Sequence, residues 1–182
     1  MKKLFRPYLT AFLLGSLLFS FTSCDDDDDP DPIEEEEQIT QMTVTLVPDG
    51  KGNTVTATYS DPDGDGGNAP TIQTMNLAPN TVYTAKITLA DGSTDITEEI
   101  RNEGTDHEFF YSFTPENLMT VQKQDRDSNN RLLGMEALIT TGGAQTGTLT
   151  ILLKHQPGLT GDTSDPSKGE TDVEAAFPVT IQ

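Results

Sequence analysis

From Ile39 to Gln182 the apolar residues recur at every second position in short runs, and that period limits the chain to a β fold. Met42, Val44 and Leu46 share one parity, with Thr43 and Thr45 between them. Successive side chains of a strand point to opposite faces, so this pattern marks a half-buried strand. Pro48-Asp49-Gly50-Lys51-Gly52-Asn53 supplies turn residues, and Val55, Ala57 and Tyr59 resume the alternation as the return arm of a hairpin. Runs rich in Thr, Val, Ile and aromatics predict further strands over 71–77, 81–89, 107–113, 118–124, 134–141, 146–155 and 171–181, with 94–100 as one more candidate. Gly, Pro, Asn and Asp separate them. No helical period lasts beyond single turns near 97–102 and 115–119, and 157–169 reads as a long exposed loop. Seven to nine short strands with little helix predict an all-β domain over 39–182, an antiparallel, immunoglobulin-like β-sandwich.

Residues 1–23 are of another kind. Lys2, Lys3 and Arg6 precede an apolar run from Leu9 to Phe21, and small residues end it just before Cys24, the one cysteine of the chain. A charged start, a short apolar middle and a small-residue cut site describe a secretory signal, too short and too poorly flanked for a spanning helix. A lone cysteine cannot form an intrachain disulfide. The junction Phe21-Thr22-Ser23-Cys24 resembles a bacterial lipoprotein box, which implies that Cys24 becomes the lipidated N-terminus. The acidic run that follows resembles the surface-export signal of Bacteroidetes lipoproteins, and the two together imply a lipid-anchored protein of the outer membrane, displayed at the cell surface.

Charge narrows the choice of partner. Without Lys2, Lys3 and Arg6 the chain holds 8 basic groups against 30 acids, a net charge of −22. Ten of the acids fall within 25–37, where Pro30 and Pro32 stiffen a run with almost nothing to bury, so 24–38 is expected to be a hydrated tether. The remaining body still carries 20 acids against 8 bases. No basic stripe exists to neutralise phosphates, which excludes nucleic acid, whereas cations are attracted.

Antiparallel strands run alternately up and down, so their connecting loops fall at two ends. Counting from the strand that begins at His107, one end gathers His107, Asp125, Asp127, Asn129, His155, Glu170 and Asp172. If 94–100 is not a strand, the loop 61–70 joins them. His107 is in phase with Phe109, Tyr111 and Phe113, and His155 with Leu149, Ile151 and Leu153. Each imidazole is therefore expected on the core side of a strand end. With Glu170 and Asp172 they form a candidate zinc site, since imidazole and carboxylate suit a borderline metal. Two histidines that merely close the core with hydrogen bonds to backbone would give the same pattern.

Two further segments carry oxygen ligands at alternate positions. Asp61, Asp63 and Asp65, followed by Gly66, match the first half of a calcium loop, but Ile72 stands where the bidentate Glu belongs. Asp125, Asp127 and Asn129 repeat the spacing, with Glu136 at the twelfth position and Arg126 and Arg131 opposing a cation. Tight turns use the same residues.

Catalysis finds little support: there is no Gly-x-Ser-x-Gly elbow, no phosphate-cradling glycine loop and no cysteine beyond Cys24. The expectation is a non-enzymatic binding protein that captures a divalent metal or small metal complex for an outer-membrane receptor. The alternative is a calcium-stabilised adhesion or glycan-binding module. Cys24 with its acid run, Asp63-Gly64-Asp65-Gly66-Gly67-Asn68-Ala69-Pro70, Asp106-His107-Glu108-Phe109-Phe110, Leu153-Lys154-His155-Gln156-Pro157 and Gly169-Glu170-Thr171-Asp172 together make the chain similar to short Flavobacterium-type surface lipoproteins. That group is often labelled a type 1 periplasmic binding fold, and the resemblance implies association with TonB-dependent uptake receptors. The label implies two alternating strand–helix domains, against the single β domain that the residues predict.

Overall fold

The computed structural model describes residues 38–64, 66–158 and 164–182. The signal segment 1–23, Cys24 with the tether as far as residue 37, and Asp65 lie outside the described residues. Eleven strands and one short helix follow in order: β1 (Gln41–Pro48), β2 (Val55–Ser60), β3 (Thr71–Ile72), β4 (Met75–Leu77), β5 (Val82–Asp91), β6 (Thr94–Asp95), α1 (Thr97–Asn102), β7 (His107–Thr114), β8 (Met119–Lys123), β9 (Glu136–Thr141), β10 (Gln145–His155) and β11 (Glu170–Ile181). Among the described residues the fold is all-β and sandwich-like, and α1 is the one helix. One sheet has the order β3-β2-β1-β5-β9-β8 with β6 beside β5, and the other β4-β11-β10-β7. Every pair is antiparallel except β4 with β11.

Alternation builds the core. Val44 lies in register with Ala57 on one side and Ile87 on the other. In the second sheet Leu153 lies between Phe109 and Val173. The inward rows of the two sheets form one cluster, in which Phe109 and Phe177 are fully buried. Each such side chain contributes about 2–3 kcal/mol of transfer free energy.

The strands number more than the seven to nine expected because two runs divide. In 71–77, Ile72 has the opposite parity to Met75 and Leu77, so one straight strand could not bury all three. The chain instead crosses between sheets. The Gln73 N–H still donates to the Thr58 carbonyl, while Met75 pairs with Val179. The run 94–100 is strand for only two residues and then turns helical. Ile96 and Ile100, four apart, bury one face of that turn, and Thr97 Oγ1 accepts the Leu89 N–H at 2.9 Å.

Strand directions place β1, β7, β9 and β11 starting, and β2, β5, β8 and β10 finishing, at one end of the sandwich. The loop after β2, α1, the β8–β9 connection and the ends of β7, β10 and β11 therefore share it. At the opposite end a groove of about 250 Å³ runs among Pro48, Lys51, Val55, Leu77, Tyr83 and Gln182, and no cluster of ionisable groups lines it.

Candidate metal centre

His107 opens β7 and His155 closes β10, and the antiparallel register sets them directly opposite one another. Their rings stack with centroids 4.8 Å apart and planes 15° from parallel. The His107 side chain has no solvent exposure. Its Nδ1 lies 3.1 Å from the carbonyl oxygen of Glu103, the C-cap residue of α1. A carbonyl only accepts, so this contact places a proton on Nδ1, and Nε2 faces the other way, toward Asp172. The backbone bond expected of a core-closing histidine is thus present, and it also fixes the orientation of the ring.

Asp172 arrives by an irregularity of β11. Val173, Ala175, Phe177, Val179 and Ile181 alternate inward, so an unbroken strand would send Asp172 outward. The register instead steps from Leu153–Val173 to Lys154–Thr171, passing over Asp172. Such a bulge re-aims a side chain. The Asp172 carboxylate is 1% exposed and its Oδ2 lies 3.6 Å from His107 Nε2.

One ligand atom from each of His107, His155 and Asp172 falls within 4.8 Å of the others, so the three could hold a metal ion. Zinc bonds of about 2.0–2.1 Å at a tetrahedral angle separate two donors by roughly 3.3 Å. The His107–Asp172 pair is close to that value, and the widest pair would have to close by roughly 1.5 Å. Of the two rings, His155 is half-buried and His107 fully buried. Glu170 does not join them: it is exposed and sits in register with His155 at the first position of β11.

The backbone beside the site is held by buried polar side chains that sequence reasoning missed. Lys154 Nζ donates to the Gly169 carbonyl at 2.9 Å and to Thr171 Oγ1 at 3.0 Å. Gln156 Nε2 donates to the carbonyls of Asp165 and Lys168. Gly169, at φ +70°, packs so closely that a Cβ would overlap the His155 carbonyl oxygen. Their only signal in the sequence is position next to His155 and Glu170. Glu108, beside His107, turns away and takes Lys123 Nζ and Ser164 Oγ, both at 2.5 Å.

The two acidic segments share this end but differ in where their oxygens point. The Asp125 carboxylate accepts the backbone N–H groups of Gly134, Met135 and Glu136 at 2.9–3.1 Å. Asp127 accepts from the N–H groups of Asn129 and Arg131 and from Arg131 Nε. Those oxygens face hydrogen-bond donors rather than a cation, and Asn129 contributes its N–H to the same turn. They brace the β8–β9 connection. In the other loop Asp61 is 7% exposed and accepts the Tyr59 hydroxyl at 3.3 Å. Asp63 Oδ2 accepts both the Asn68 N–H, at 2.9 Å, and its Nδ2, at 2.7 Å. The Asn68 backbone bond, first among several, holds the Asp63 carboxyl below its usual value.

No family model, curated protein or solved structure matches the chain.

Proposed function

We propose that the protein is a surface lipoprotein of the outer membrane, anchored through Cys24, that captures a divalent metal or small metal complex for an uptake receptor. Zinc is the favoured ion. The observation that carries this reading is the convergence of His107, His155 and Asp172, with His107 Nε2 turned toward the carboxylate by the Glu103 carbonyl. Two imidazoles and one carboxylate suit zinc better than calcium or magnesium, which prefer oxygen alone. Three protein ligands leave a coordination position for an exchangeable group, as a carrier requires. The TonB-dependent receptor and the lipid anchor rest on the signal sequence, the acid run and the family resemblance.

Titration of the full chain with zinc tests the reading. Wild-type protein is expected to bind one equivalent, and His155→Ala or Asp172→Asn to bind at least ~10-fold more weakly with an unchanged circular dichroism spectrum. Zinc affinity that survives both substitutions would overturn the assignment.

A further inference from the structure

We infer that the loop following β2 is a second cation site, seating a hard divalent ion, calcium by its ligand chemistry, against the Asp61 and Asp63 carboxylates. This site shares no ligand with the histidine centre and stands without it.

Other sequestered carboxylates meet positive or donor groups: Glu108 has Lys123, Asp127 has Arg131, and Asp125 has three backbone N–H groups. Asp61 is as deeply buried as Glu108, yet its Oδ1 has no donor among the described residues. Neither Asp61 nor Asp63 takes part in an ion pair among those residues. Leaving a buried carboxylate oxygen without a donor costs the full desolvation of that oxygen.

The surrounding groups sharpen the point. The donors that the loop does supply, the Asn68 N–H and Nδ2, both go to Asp63 Oδ2 and none to Asp61 Oδ1. The Asp63 carboxyl lies within reach of that of Asp61, two positions earlier in the same loop. A bound cation would answer the bare oxygen. The ligand atoms are oxygens alone, and Gly64 and Gly66 at φ +67° and +87° give the backbone the sharp turns of a loop folding around an ion. An irregular, oxygen-only loop suits calcium's adaptable shell better than the strict octahedron of magnesium.

Calcium titration of the full chain, followed by calorimetry and thermal unfolding, tests the site. Calcium is expected to raise the Tm of wild type and of His155→Ala alike, because both retain the loop. Asp61→Asn preserves shape and is expected to fold as wild type does while binding at least ~10-fold more weakly; the exposed Asp63→Asn should weaken binding as well. Magnesium should shift Tm less than calcium at equal concentration. A Tm that does not move up to about 10 mM calcium would overturn the inference. So would an Asp61→Asn variant that responds like wild type, which would place the bound calcium on the acid run of 25–37 or elsewhere, and so would a magnesium shift equal to that of calcium.

Discussion

Asp125 shows how one carboxylate can hold a turn that would otherwise leave three amide groups without partners. Its oxygens collect the N–H groups of Gly134, Met135 and Glu136, and the Tyr111 hydroxyl donates to the Gly134 carbonyl from the other side at 2.6 Å. Burial, and secondarily the Asp125 charge, push the Tyr111 phenol well above its ordinary value, so that hydroxyl remains a donor at any working pH. Asp125→Ala is expected to cost about 2–4 kcal/mol, read from the urea midpoint, with no change in zinc affinity. A loss under about 0.5 kcal/mol would show that water replaces the carboxylate without penalty. Residue types and spacing alone could not reveal this role, because Asp-x-Asp-x-Asn serves a turn and a cation equally well. The deciding fact is the direction in which each oxygen points, and residues nine to eleven positions further along settle it.

The strands were legible where one parity runs unbroken, as in β1 and β5. Parity also indicated that His107 and His155 face inward at strand ends, since both keep phase with fully buried neighbours. It failed where a strand changes sheet within one run, at Gln73 and Thr74, and where β11 admits an extra residue at Asp172. Both depend on pairing between segments distant in sequence, which no local pattern records. The helix α1 was legible only as a turn. Asp95, just before it, is held below the usual carboxyl value by the Thr97 hydroxyl and amide, and its Oδ1 accepts the Thr97 N–H at 2.9 Å. A lowered folded-state value means that the unfolded chain binds more protons. The resulting stability is therefore complete above the unfolded value, near 3.9, and disappears as pH falls through the folded value. Asp95→Ala should be less stable than wild type at pH 7, and the gap should close below about pH 4. A gap that stays constant down to about pH 2 would mean that the charge on Asp95 plays no part.

At the scale of the whole molecule the dominant quantity is charge. Twenty acids against eight bases in the body repel one another, and the acidic loops share an end with the histidine site. Such self-repulsion opposes the compact state and is screened by salt. Raising ionic strength from about 0.01 to 0.5 M with sodium chloride at pH 7 is expected to raise Tm by a few degrees. An unchanged or lower Tm would mean that favourable ion pairs such as Lys123–Glu108 outweigh the repulsion.

The bulge in β11 carries a mechanical corollary. His107, His155 and Asp172 sit on three adjacent strands but are separated by 48 and 17 residues along the chain. An ion gripped by all three would staple those distant segments and shrink the freedom of the unfolded chain, as a pair of disulfides does in other small β proteins. Past Cys24 this chain has no thiol with which to form one.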